Sequence, residues 1–244
     1  MNIYVINLAS SLDRKEHIIK KAKDLDISLK FIDAVNGNKL SPKIIKTNSS
    51  NSIKNINRHL SPSEIGCYFS HLRAIESFLK TNDSICLILE DDIYFSEEIK
   101  SIIEKFSHIQ EFPFDILLAG YRNGYCSLWH QLEFLNTHLL RFSDCGYGAH
   151  GYFLTRAGAK KILLNNSIPS WPYDYVTGGK ADPSLKVYGL KSKAILLEPV
   201  LSNNSSIESQ RNALNEFSRS NHDSILAKVK KTLKQLKPIK KYDI

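Results

Sequence analysis

An α/β architecture, with a mainly parallel sheet flanked by helices, follows from three features of this 244-residue chain. Short apolar runs recur along it, most of them continuous rather than alternating, which suits strands covered on both faces. Stretches of helical character separate these runs, as in folds that alternate strand and helix. A hydrophobic content of 42% over this length is enough for one substantial core.

The elements run in order from the amino end. "IYVINL" is the first strand, "LDRKEHIIKKAKDL" a helix, and "LKFIDAV" a second strand closed by an Asn36-Gly37 turn. The polar run Lys46–Leu60 predicts a flexible loop able to act as a lid. The next helix has a strong start signal, with Ser61 as N-cap, Pro62 at the first helical position and Glu64 completing a capping box. Its apolar face is Ile65, Phe69, Leu72, Ile75 and Leu79; Glu64, Cys67 and His71 share the other side, and Gly66 permits a close approach. "SICLILE" reads as a buried strand, "SEEIKSIIEKF" as a helix and "FDILLAG" as a strand. Tyr121–Gly148 is weakly patterned and predicts an insertion over a site. "GYFLT", the helix "RAGAKKILLNN" and the strand "KAILLEP" follow, with no internal repeat. The expected division is one domain over 1–223 and a basic tail over 224–244.

A formal net charge of +8 implies an anionic partner, and the excess gathers at Lys228, Lys230, Lys231, Lys234, Lys237, Lys240 and Lys241. Val229, Leu233 and Leu236 recur among them at helical spacing, so the tail predicts a basic amphipathic helix that rests on anionic lipid or frays in solvent. Little aromatic interleaving disfavours nucleic acid. The opening residues lack the pattern of a signal peptide, and no run is long enough to span a membrane. Cys67, Cys86, Cys126 and Cys145 lie far apart without CxxC spacing, which argues against a zinc site and a disulfide framework. A reducing cytosol is the expected home.

The chemistry gathers where the apolar strand runs into Glu90, Asp91 and Asp92. Neighbouring carboxylates repel unless a cation or ligand neutralises them. Alternation along an extended backbone puts Glu90 and Asp92 on one face and turns Asp91 aside, geometry that suits one divalent ion. The plainer reading is that the triplet caps the next helix. Asn7 and Arg14 flank a strand-to-helix turn able to receive a phosphate, and Asp33 ends the second strand where an acid can accept hydrogen bonds from a ribose or base. His150 sits among small residues, and Asp174 among Trp171, Tyr173 and Tyr175, a setting that suits a sugar hydroxyl needing a proton acceptor. Each has a structural alternative: a cap for Glu64, a surface histidine for His71, a packed turn for Asp174.

Taken together, "YVINLASSLDR", "FIDAVNG", "LSPSEIGCYFSHLRAIESFL", "LILEDDI", "FDILLAG" and "GAHGYFLTRAGAKKIL" resemble glycosyltransferase family 25, the bacterial lipooligosaccharide and lipopolysaccharide transferases. The resemblance implies a GT-A-like fold, UDP-galactose as donor, a lipid-linked oligosaccharide acceptor and inversion at the anomeric carbon. It implies a divalent ion, Mn²⁺, on Glu90 and Asp92, with Asn7, Arg14 and Asp33 holding the nucleotide and His71 and His150 lining the donor or acceptor pocket. The implied base is Asp174, with Glu64 and Asp91 as competitors. It also implies a cytoplasmic enzyme, peripheral on the inner face of the bacterial inner membrane. The same fold with UDP-glucose or a UDP-N-acetylhexosamine remains open, as do a glycan-binding protein without catalysis and a nucleotidyltransferase, although "NLASSLDR" lacks the glycines a phosphate loop wants.

Overall fold

The structure, a computed structural model, describes residues 1–199, Ile207, Gln210 and 239–242. Its strands are β1 (Asn2–Asn7), β2 (Lys30–Asp33), β3 (Ile85–Glu90), β4 (Ile93–Phe95), β5 (Ile116–Gly120), β6 (Asn123–Phe134), β7 (Thr137–Tyr147), β8 (Gly151–Thr155), β9 (Val187–Leu190), β10 (Ile195–Leu197) and β11 (Ile239–Tyr242). Its helices are α1 (Leu12–Asp24), α2 (Pro42–Ser49), α3 (Ile53–Ile56), α4 (Pro62–Leu79), α5 (Ile99–Ser107), α6 (Arg156–Asn165) and α7 (Tyr173–Thr177).

Among the described residues, one sheet runs in the order β11-β6-β7-β9-β5-β8-β3-β1-β2, while β4 and β10 pair separately. β1 pairs in parallel with β2 and with β3, and β5 in parallel with β9. β8 lies antiparallel between β3 and β5, so those two share a direction, and the β6–β7 hairpin extends the sheet beyond β9. The carboxyl ends of β1, β3 and β5 and the amino end of β8 therefore meet at one edge of the sheet.

The expected two-sided burial is explained by the pleat. In β3, Cys86 and Ile88 face a core with Tyr68, Ile75 and Phe78 of α4 and Ala159 and Ile162 of α6. Ile85, Leu87 and Leu89 face the opposite core with Ile18 of α1 and Ile99, Ile102 and Phe106 of α5. Successive side chains thus enter opposite cores, and the strand reads as unbroken apolar sequence.

Three sequence expectations need correction. Lys46–Leu60 is not a bare loop: it carries the end of α2, a 3-10 turn over Ser50–Ser52 and α3. These asparagine-rich turns have poor helix propensity and are fastened by polar groups. Ser41 caps α2 through Ile44, and the buried Ser52 hydroxyl bonds the Ser49 and Arg58 carbonyls at 2.6 and 2.8 Å. Tyr121–Gly148 is not a patternless insertion but the β6–β7 hairpin within the sheet, and its ends, Arg122, Asn123, Tyr147 and Gly148, do border a cavity. α4 is buried on more than its apolar stripe, since Glu64, Tyr68, Ser70 and His71 are also enclosed. The partner that Gly66 admits is backbone: a Cβ there would lie 2.5 Å from the Val35 oxygen and 2.6 Å from the Gly37 nitrogen. A Cβ on Gly37 would in turn fall on the Pro62 carbonyl. Helix start and strand-end loop thus meet without side chains between them.

The proposed tail helix lies mostly outside the described residues. Of its residues, Ile239–Tyr242 are described, and they pair antiparallel with Gly124–Ser127 as an edge strand. Among the described residues no helix is long and apolar enough to cross a membrane.

Candidate active site

β3 delivers Glu90 to the sheet edge, the chain bends through Asp91 and Asp92, and Ile93 enters β4. The triplet does not cap α5, whose N-cap is Glu98. The Glu90 amide bonds the His150 carbonyl at 3.0 Å, and the Glu198 amide bonds the Asp92 carbonyl at 2.8 Å, which pins the bend from both sides.

The three carboxylates have different partners. Asp91 turns toward β1 and α1, accepting hydrogen bonds from Asn7 Nδ2 at 2.7 Å and Arg14 at 3.0 Å. Burial outweighs both and holds Asp91 above its ordinary pKa. Asp92 is buried; its Oδ2 lies 3.7 Å from Arg14, and its Oδ1 has no hydrogen-bond partner. Burial first, then the charges of Glu90 and Asp91, push its pKa up to about 7 despite Arg14. Glu90 is half-buried, 3.5 Å from His71 Nε2. Burial works against its charge, but His71, His150 and Arg122 prevail and lower its pKa. A buried carboxylate oxygen with no donor, next to a second carboxylate, is what a divalent cation would satisfy. Glu90 and Asp92 fit that group; Asp91 is committed elsewhere.

Two cavities join at this triplet. The smaller, about 280 Å³, is walled by Leu8, Ser11, Arg14, Ala34–Asn38 and Asp91. The larger, about 480 Å³, is walled by Arg122, Asn123, Tyr147–His150, Tyr173–Tyr175 and Leu197. Glu90, Asp92 and Cys67 line both.

His71 is fully buried, not a surface residue, and stacks on Tyr173 with ring centroids 4.2 Å apart. Its Nδ1 lies 3.1 Å from the Tyr152 hydroxyl, which lies 3.2 Å from the Tyr173 hydroxyl. Burial holds both tyrosines above their ordinary pKa, so they keep their protons. This polar chain runs from the end of β3 to Tyr173 of α7. His150 is also buried; desolvation, with Arg122 and Lys193, lowers its pKa to about 4 against the pull of Glu90, and it is neutral near pH 7.

Other candidates have structural duties. Glu64 accepts two hydrogen bonds from Arg58, at 2.7 and 2.8 Å, and one from the Ser61 amide at 2.9 Å. It lines the larger cavity as an ion-paired cap. Asn7 is buried and holds Asp91 and the Ser11 carbonyl. Asp33 is not brought to the site: its side chain is exposed and walls neither cavity, and its carbonyl accepts from Arg73 at 3.1 Å. The next residues, Ala34–Asn38, form the wall instead.

Sequence reasoning missed Arg122, Arg58 and Tyr152. Arg122 was findable, since it follows the carboxyl end of β5, where ligands of such sheets gather. Arg58 and Tyr152 left no local signal, because their partners are set by the fold.

Comparison with known proteins agrees with the earlier resemblance. The model of glycosyltransferase family 25 (LPS biosynthesis protein) matches residues 1–177. A bovine protein named "Probable inactive glycosyltransferase 25 family member 3" is 25% identical over 174 residues, 68% of this chain and 29% of its own length. The Xenopus laevis "Procollagen galactosyltransferase 1-B" is 25% identical over 169 residues, 66% of this chain and 28% of its own. The match thus spans under a third of either relative. A solved glycosyltransferase involved in glycosylation of the major capsid of PBCV-1 aligns over 88% of this chain and 98% of its own, at 11% identity and a TM-score of 0.42.

Proposed function

The chain belongs to glycosyltransferase family 25, and on that premise we propose that it transfers a hexose, galactose from UDP-galactose, to a sugar acceptor of a lipopolysaccharide or lipooligosaccharide, with inversion. The observation that carries this reading is Asp92, a buried carboxylate with an unpartnered oxygen beside Glu90, at the junction of two cavities. The family description supports the acceptor class, and the galactosyltransferase relative supports the sugar.

Glu90 and Asp92 would hold the divalent ion, Mn²⁺, which supplies charge to offset that developing on the departing diphosphate. The smaller cavity, at the start of α1 and the β2 loop, suits the nucleotide. There Arg14 fixes Asp91 and Asp92 in place. The larger cavity suits the two sugars: Tyr147 and Tyr175 line it with aromatic surface, and Asp174 with a carboxylate. Asp174 takes the proton of the acceptor hydroxyl as its oxygen attacks the anomeric carbon. Of the two competitors for this role, Asp91 does not line the larger cavity, and Glu64 lines it as the ion-paired cap of α4. His150, uncharged, can accept or donate a hydrogen bond without adding positive charge. The lysines of 228–241 support attachment to an anionic membrane surface, on the cytoplasmic face where nucleotide sugars are found.

The test is UDP release from a panel of UDP-sugars, each with and without Mn²⁺, on a lactose- or glucose-type acceptor. Metal-dependent release with UDP-galactose is the expected result. Release with UDP-glucose or a UDP-N-acetylhexosamine alone would rename the donor. Silence throughout, with no donor binding by calorimetry, would replace the transferase reading with a glycan-binding one.

A further inference from the structure

The helix α4 places Cys67 and His71 one turn apart, and β3 brings Glu90 against them. Among the described residues, one ligand atom from each of the three lies within 4.8 Å of the others. His71 Nε2, fully buried, has no hydrogen-bond partner and points at Glu90 from 3.5 Å, while Nδ1 is engaged by Tyr152. An imidazole held through one nitrogen and open at the other is how proteins present histidine to a metal. Cys67 lines both cavities, so an ion arriving from either can reach its sulfur.

The donor set is sulfur, nitrogen and one carboxylate oxygen, unlike the two carboxylates of Glu90 and Asp92. Thiolate and imidazole select zinc and its softer relatives, whereas oxygen-only sets suit manganese and magnesium. We propose that Cys67, His71 and Glu90 form a second metal site that takes Zn²⁺, with water or a ligand oxygen in the fourth position. A tetrahedral ion with bonds of about 2.0–2.3 Å sets its ligand atoms roughly 3.5 Å apart. Side-chain rotation of about an ångström therefore closes the site. On binding, the thiol proton leaves to solvent and Cys67 coordinates as thiolate; His71 carries its remaining proton on Nδ1, donated to the Tyr152 oxygen. The four cysteines gave no such signal as a sequence, because the third ligand comes from a strand and the pair spacing is that of a helix turn.

Glu90 belongs to both sites. Zinc at the second would draw this carboxylate from the first, so the ion acts as an inhibitor that competes with Mn²⁺; this regulatory half rests on the transferase reading, whereas the binding half does not.

The experiment uses the full chain with Co²⁺ or Zn²⁺ alone and no sugar substrate. Co²⁺ should give the thiolate-to-metal absorption of a sulfur-ligated tetrahedral ion. X-ray absorption of the zinc-loaded protein should show a sulfur neighbour at about 2.3 Å. Cys67→Ser should abolish the cobalt band and weaken Zn²⁺ at least tenfold by competition with a chromogenic chelator; Asp92→Asn should keep both. A zinc spectrum with oxygen and nitrogen neighbours only would overturn the proposal in the wild-type protein, whatever the variants do. So would a cobalt band surviving in Cys67→Ser or lost in Asp92→Asn. For the regulatory half, Zn²⁺ should suppress Mn²⁺-dependent UDP release in the wild type, with relief by added Mn²⁺; inhibition insensitive to Mn²⁺ would overturn it. A sulfur-bound zinc in a protein that releases no UDP would sustain the site and sink the transferase reading instead.

Discussion

Asp92 stands between two demands: without a cation its charge is unwelcome, and on the proposed reading it is the carboxylate a cation would bind. Its pKa is about 7 in the fold against an ordinary 3.8. Between about pH 4 and 7 the folded carboxyl therefore keeps a proton that the unfolded chain has released, so stability falls as pH rises through that window and is flat above it. Metal-free Asp92→Asn should accordingly be more stable than wild type at pH 8, by roughly 2–4 kcal/mol in urea unfolding with chelator present. The same variant should lose transfer by about 10²–10³-fold, the usual scale for deleting one preorganised electrostatic contact. Mn²⁺ affinity, measured by titration calorimetry, should climb to about pH 7 and then level, because the ion must displace the Asp92 proton below that point. His150 contributes the opposite slope: depressed to about 4, it gives stability that is lost as pH falls from about 6.5 toward 4. At this scale the sequence was informative about Glu90 and Asp92, because a buried strand ending in three carboxylates is locally odd. It was uninformative about Asp33, whose strand-end position fits the rule while its side chain turns to solvent.

Among the elements, α4 does the most positioning. Its capping box, its glycine contact with the loop after β2 and its buried polar face all serve the site edge. Glu64→Gln should weaken the Arg58 pair and lower stability by about 1–3 kcal/mol, with turnover changed less than tenfold; a fall of a thousandfold in kcat would restore Glu64 as the base. Gly66→Ala forces a Cβ into the Val35 and Gly37 backbone and should cost about 1–3 kcal/mol by urea unfolding. On the other side of the sheet, Phe106 of α5 meets Phe112, Phe114, Phe134 and Phe153. Phe106→Ala should lower stability by about 3–5 kcal/mol, read by thermal melting, and leave donor KM as it was. α1, α4, α5 and α6 were legible because their apolar spacing or caps are local properties. α2 and α3 were not, because their order comes from Ser52 bridging Ser49 and Arg58. The β6–β7 hairpin was obscured by the register shifts near Gly124 and Cys126, which break the alternation that marks a strand.

Over the whole molecule, strands that serve two cores at once also carry their ends to a common edge, so the residues that build the interior also place the site. The continuous apolar runs announced that sheet, while the order of its strands, with β8 reversed between β3 and β5, depends on pairings far apart in sequence. Convergence of Cys67, His71 and Glu90, or of Asp174 with Glu90 and Asp92 around one cavity, was hidden for the same reason. Chelation should lower the melting temperature of a protein loaded with Mn²⁺, and Asp92→Asn should erase that difference. β11 has a further consequence. By pairing with β6 it covers a flank whose amides and carbonyls would otherwise invite another chain. Deleting the basic tail to test lipid binding would therefore also bare a sticky edge, and the shortened protein would self-associate for reasons unrelated to membranes. Neutralising Lys228, Lys230, Lys231 and Lys234 with glutamine, while sparing 239–242, separates adhesion to lipid from protection against aggregation.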